Sequence, residues 1–205
     1  MIEINTQSSI KIDKIYFDPY KIEKETHDAE IIFITHSHYD HFDMESIKKI
    51  VNNETMIVIP DDEKIKSTIS EFNYTIVKPN QEYEIKNIKI KTVPSYNTNK
   101  PFHKKEYGWI GYIIYLDKVY YIMGDTDATK EAEKISCDHL FIPIGGTYTM
   151  DYKEAARLTN IIKPKIVTPT HYGSIVGNKE DGEKFKNLVN REITTEILID
   201  FKLLN

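Results

Sequence analysis

A chain of 205 residues that is 40% hydrophobic and carries a formal net charge of −5 can bury one sizeable core, and it has no basic block to hold duplex nucleic acid. Its single cysteine, Cys137, excludes an internal disulfide and a zinc site built on two or more thiolates of this chain. The N-terminus lacks a secretory pattern and the apolar runs reach four to six residues, against the ~20 needed to span a bilayer, so a cytoplasmic, one-domain protein over residues 1–205 is expected.

In chain order, Ile10 to Ile12, Ile15 to Phe17 and Ile31 to Thr35 are short β-branched runs bounded by polar residues, which predicts strands, with a turn at Asp18-Pro19. Asp43 is placed to cap a helix carrying Met44, Ile47, Ile50 and Val51 on one face. Met56 to Ile59 predicts a strand stopped by Pro60, and residues 61–71 a short helix. From 74 to 123 the pattern is mostly β. Ile88 to Val93 alternates, and Trp109 to Leu116 with Val119 to Met123 predicts a hairpin across Asp117-Lys118. The polar loop 94–108 is long enough to carry function. Leu140 to Ile144 predicts a strand ending at Gly145-Gly146. Asp151-x-x-Glu154 is a capping box for a helix that continues through Ile162 to Pro164. A strand over Ile166 to Thr170, a helix over 180–191 and a closing strand over Ile197 to Leu203 complete an α/β chain.

One stretch stands apart. In THSHYDHFD, residues 35–43, three of seven histidines and an aspartate fall within six positions: His36, His38, Asp40 and His41. Shuffling this composition yields His-x-His-x-Asp-His in roughly one chain in two thousand. Residues two apart on extended backbone point the same way. His36 and His38 can therefore face one point at the strand end, and Asp40 with His41 a second point at the turn into the helix. Without a cation these groups are poorly satisfied; as ligands of a divalent metal they suit zinc, manganese or iron. Two other strand ends offer further ligands: Asp125 after Gly124, and His171 in PTHYG.

Together THSHYDH, GDTD and THYG resemble the metallo-β-lactamase superfamily over nearly the whole chain. TQSSIKI with FDPY, and IPIGGTYTMD, are similar to the branch containing the L-ascorbate-6-phosphate lactonase and many metal-dependent hydrolases. The resemblance implies a four-layer αβ/βα sandwich, two mixed β-sheets with helices outside. It also implies that His36 and His38 bind a first metal, that Asp40, His41 and His171 bind a second, and that Asp125 bridges them. There is one departure. The family usually adds another histidine to the first site from a loop before the bridging aspartate. Here Tyr96-Asn97 stands in its place, and the only histidine of the loop is His103. Asn97 is then a weak neutral ligand or a substrate contact. His103 either folds back into the site or faces solvent between Phe102 and Lys104.

The expected activity is hydrolysis. One or two metals, zinc first with manganese or iron as alternatives, lower the pKa of bound water toward ~7. Asp40 orients that nucleophile, and His103 or Tyr148 meets the oxyanion, the leaving group or another substrate oxygen. A small ester, lactone, amide or phosphodiester fits, and Lys100, Lys104 and Lys105 favour an anionic one. The runner-up is a non-haem iron oxidoreductase with His36, His38 and Asp125 as its facial triad. A metal-binding protein without catalysis is a third class, against which Asp40 stands. Neither nucleic acid nor membrane is expected as a partner, and homo-oligomerisation stays open.

Overall fold

The isoleucine-rich runs of the two halves form two separate sheets in the computed structural model, which describes residues 1–199 and 201. The first sheet is β1 (Ile2–Ile4), β2 (Ile10–Ile12), β3 (Ile15–Phe17), β4 (Ile31–Phe33), β5 (Met56–Pro60) and β6 (Tyr74–Val77), side by side in chain order. Pairing is antiparallel from β1 to β3 and parallel from β3 to β6. The second sheet is β7 (Glu82–Ile85), β8 (Ile88–Pro94), β9 (Ile110–Tyr115), β10 (Val119–Ile122), β11 (His139–Pro143), β12 (Ile166–Thr170) and β13 (Thr194–Thr195), again in sequence. It is antiparallel up to β10 and parallel beyond it. Both sheets are mixed.

Strand periodicity assigns the layers. In β4, Ile31 and Phe33 point into the core shared with the second sheet, beside Val93, Tyr112 and Ile122. Ile32 and the following Ile34 point the other way, onto Ile47 and Ile50 of α1 (Met44–Ile50) and Ile65 of α2 (Glu63–Thr68). Slipping this register by one residue would exchange the faces of four fully buried side chains, each worth roughly 1.5–3 kcal/mol of burial. On the second sheet, α3 (Tyr152–Ile162) and α4 (Asp181–Leu188) bury Ala155, Leu158 and Phe185. The order is helix, sheet, sheet, helix, the four-layer sandwich that the family resemblance implied. Tyr112 of β9 ties the sheets by donating its hydroxyl to the carbonyls of Ile34 (2.7 Å) and Val58 (3.3 Å).

The capping signals hold. Asp43 accepts from the Glu45 amide, Asp62 from Lys64 and Ile65, and Asp151 forms a complete capping box with Glu154. The fourth helix differs in length from the expected 180–191: α4 ends at Leu188, with Val189 as its C-cap. Gly182 belongs there because a Cβ would lie 2.4 Å from the Tyr172 hydroxyl. The expected closing strand over Ile197 to Leu203 is a correction. Pairing ends at Thr194–Thr195, Ile197 to Ile199 form no strand, and 200 and 202–205 lie outside the described residues. Ile199 is used for packing in the inter-sheet core rather than for a ladder. No helix among the described residues is long and apolar enough to cross a membrane.

Before β4, Asp28 collects Tyr16 Oη (2.6 Å), Lys11 Nζ (3.1 Å) and the Thr26 hydroxyl. Partial burial opposes its charge, but these three donors hold the carboxyl down at about 2. A depressed carboxyl stabilises the fold above its unfolded pKa of ~3.9, and that contribution is lost as pH falls through about 2. Asp28→Asn should therefore cost about 1–2 kcal/mol at pH 7, after allowance for solvent screening. Urea melts at stepped pH check it: the gap between the proteins should close between pH ~4 and ~2.

Candidate metal centre

The ends of β4, β10 and β12 meet at one edge of the sandwich. Past β4 the chain turns tightly, with the His38 carbonyl accepting from the amides of His41 (3.1 Å) and Phe42 (2.8 Å). This folds Asp40 and His41 back toward His36. Past β10, Gly124 has φ +65, and a Cβ on it would press to 3.0 Å from the Thr35 side chain, so the turn that projects Asp125 needs glycine. Past β12, His171 takes φ +56 and is held there by its amide donating to the Gln7 carbonyl (3.0 Å). Its carbonyl lies where a Cβ on Gly145 would come to 2.3 Å.

The loop 94–108 folds back. His103 is buried, and its Nε2 lies 3.4 Å from Asp125 Oδ2. Asn97 holds it in place. The Asn97 amide nitrogen donates to Asp127 Oδ1 (3.2 Å) and the Tyr148 carbonyl (2.9 Å), which fixes the orientation of the amide. Its oxygen then accepts from the His103 amide (3.0 Å) and Nδ1 (3.2 Å). An amide oxygen only accepts, so His103 carries its proton on Nδ1 and turns the Nε2 lone pair inward. Asp127, the last residue of GDTD, also accepts from the Thr98 amide (2.8 Å) and from Lys100. The loop is thus pinned by one buried carboxylate.

The potential ligands fall into two triads. His36, His38 and His103 have donor atoms within 4.8 Å of one another, and so do Asp40, His41 and His171. Asp125 lies between them. Its Oδ1 is 3.3 Å from His41 Nε2, and its Oδ2 is 3.2 Å from His171 Nε2 and 4.0 Å from His36 Nε2. The side chains of His36, His38, Asp40, His41, His103, Asp125 and His171 thus lie together. Tyr148 sits at the rim, half-buried, its ring edge-on to Phe102 at 4.8 Å.

Sequence reading missed Asp18. Read as a turn, it is fully buried with φ +44 and accepts from the Thr35 amide (2.8 Å), the Thr35 hydroxyl (2.7 Å) and His41 Nδ1 (2.7 Å). Because the Thr35 hydroxyl donates to Asp18, it accepts from His36 Nδ1 (2.9 Å). One carboxylate therefore sets the tautomer of two histidines, leaving both Nε2 atoms facing inward. The signal was an acid directly after a buried strand and before proline. Trp109 was missed too: its ring lies 4.9 Å from both His36 and His38 and 5.5 Å from His103, and its Nε1 donates to Asp62 (3.1 Å).

Electrostatics divide the cluster. Burial, reinforced by neighbouring His41, pushes His36 well below the usual imidazole range. Burial also lowers His41, but the Asp125 and Asp18 carboxylates reverse this and raise it well above. Burial works against charge on Asp125, yet His171 and His41 hold its carboxyl well below the ordinary range. Asp40 is likewise lowered by its bond from His171 against the effect of burial. Tyr39 is raised by partial burial and then by the nearby Asp40 and Tyr148.

Comparison with known proteins follows the same lines. A beta-lactamase superfamily domain matches residues 8–171. A metal-dependent hydrolase of Thermococcus onnurineus is 32% identical over 180 residues, covering 83% of this chain and 79% of its own. The crystal structure of a candidate metal-dependent hydrolase from Parabacteroides distasonis is 28% identical, with a TM-score of 0.78 over 97% of this chain and 93% of that one. A diiron beta-hydroxylase of Streptomyces venezuelae shares the fold at 14% identity and a TM-score of 0.75, and 52% of its length is covered.

The clamp on the loop has a measurable consequence. Asp127→Ala should raise hydrogen exchange at the Thr98 and His103 amides by roughly tenfold or more, the loss of about one buried charged hydrogen bond. Amides of β9 and β10 should exchange as before.

Proposed function

The chain belongs to the beta-lactamase superfamily, and from that premise we propose that it is a metal-dependent hydrolase with His36, His38 and His103 at one metal, Asp40, His41 and His171 at a second, and Asp125 bridging. The observation that carries this reading is a set of unanswered atoms. His41 Nε2, His103 Nε2 and Asp125 Oδ1 are buried without a hydrogen-bond partner, and all three point into the cluster. Leaving such a group unpaired costs about 1–3 kcal/mol. Two divalent cations would answer all three, and imidazole with carboxylate fits zinc foremost, or manganese or iron. The ligands run from residue 36 to 171 and come from both sheets, so we take residues 1–205 as one domain.

A bound cation supplies Lewis acidity, enough to bring the pKa of water toward ~7 and to polarise a carbonyl or phosphoryl oxygen. The protein's own groups do the rest. Asp40 is ionised and its side chain keeps 10% exposure, so it can orient an incoming water and accept its proton. Tyr148 carries a hydroxyl at the rim and is assigned the substrate oxygen or leaving group. Asp18 and Thr35 hold the outer nitrogens of His41 and His36, so both Nε2 atoms face inward; His41, which the carboxylates favour as a cation, would give up its inner proton to a bound metal. Asn97, whose polar atoms are all engaged within the protein, is assigned to positioning His103 rather than to substrate, and His103 to ligation rather than acid catalysis. Small esters, lactones, amides and phosphodiesters are the candidate substrates. The iron-oxidoreductase alternative rested on His36 and His38 standing without a third imidazole. The His103 ring, 5.2 Å from His36 and 4.9 Å from His38, supports the hydrolase reading over that alternative.

Asp125→Ala should lose both metal uptake and turnover, measured by elemental analysis of protein reconstituted with zinc, manganese or iron and by a panel of ester, lactone and phosphodiester substrates. Full metal content in that variant discards the bridging assignment. Asp18→Asn should keep the fold but bind metal about 10–100-fold more weakly, with hydrolysis recovering as metal concentration is raised; unchanged affinity would remove Asp18 from the centre.

A further inference from the structure

Two exposed aromatic residues adjoin ligands of the proposed centre in the chain. Of the proposed ligands, His38 and Asp40 are the most exposed; the others are almost fully enclosed. Tyr39 sits between those two in the chain and is 61% exposed, with its ring edge-on to Tyr20 at 6.0 Å. On the loop side, Phe102 directly precedes His103, is 40% exposed, and meets the Tyr148 ring. Each exposed ring is one residue from a ligand whose position is fixed, so neither can drift far from the centre. Rings left partly in water forgo part of the roughly 1.5–3 kcal/mol that full burial gives, and clustered apolar surface marks binding sites.

The lysines that suggested an anionic substrate are otherwise engaged. Lys100 is bound to Asp127. Lys105 donates to Glu131 (2.8 Å) and lies over the Tyr96 ring (4.6 Å). Lys104 is 3.9 Å from Glu106. The loop thus offers apolar area where the sequence suggested positive charge.

We infer that the substrate is an uncharged molecule with a flat apolar group, aromatic or conjugated, next to its scissile bond, and that Tyr39 and Phe102 are the residues that select it. This rests on the metal-dependent hydrolase reading above. Packing against rings supplies affinity without cations, and Phe102, already braced edge-on by Tyr148, offers its remaining surface to such a group.

The test uses chelators that share one metal-binding head. Benzohydroxamate, acetohydroxamate and succinic monohydroxamate carry a ring, a methyl group and a carboxylate on it. Each is titrated calorimetrically into the zinc-loaded full chain, with zinc content measured on the same samples. The ring-bearing chelator should bind about tenfold tighter than the methyl one, equivalent to ~1.4 kcal/mol. In zinc-retaining Tyr39→Ala and Phe102→Ala proteins this preference should drop to about threefold or less. Equal binding of ring and methyl, tightest binding by the carboxylate, or a preference untouched by both variants each overturns the inference. A native chain that takes up no zinc overturns the metal-centre reading and this inference with it. Zinc uptake without ring preference overturns this inference alone.

Discussion

Four imidazoles, His36, His41, His103 and His171, and three carboxylates, Asp18, Asp40 and Asp125, are buried at one edge of a two-sheet sandwich. Removing such groups from water is tolerable only if each donor and each lone pair finds a partner. That requirement governs the rest of the structure. It explains why His41 stands between two carboxylates, Asp18 and Asp125. It explains why the outer nitrogens of His41, His36 and His103 are tied to Asp18, Thr35 and Asn97 while the inner ones converge.

The scaffold meets part of the requirement by accepting local strain. Asp18, Gly124 and His171, each just past a strand, all take left-handed backbone, with φ of 44°, 65° and 56°. For the two non-glycine residues this costs on the order of 1–3 kcal/mol each. The cost is offset where the turn creates bonds: Asp18 gains three donors, and the His171 amide reaches Gln7. The cores on either side of β4 supply the rigidity. Ile31 and Phe33 lock the strand to one layer, Ile32 and Ile34 to another, so the residues that follow cannot shift without moving both.

How much of this was legible in sequence depends on range. His36, His38, Asp40 and His41 are neighbours in the chain, and their composition alone is improbable. Asp125 and His171 were legible because strand tips have recognisable endings. The helix caps at Asp43 and Asp151 are local contacts and were read correctly. His103 was not decidable, because its direction is set by Asn97, which is set in turn by Asp127 and the Tyr148 carbonyl, 30 and 51 residues away in sequence. Asp18 was hidden by a motif that also reads as a turn; only the fold brings Thr35 and His41 to it. The closing strand failed for a related reason: apolar residues at a sheet edge can serve packing instead of pairing, as Ile199 does.

Trp109 is the single tryptophan of the chain, and its indole lies against three of the imidazoles. An excited indole loses its emission to a protonated imidazole in contact with it. Its brightness is therefore coupled to whether those rings carry protons, and the chain contains an intrinsic optical gauge of its centre that needs no attached dye.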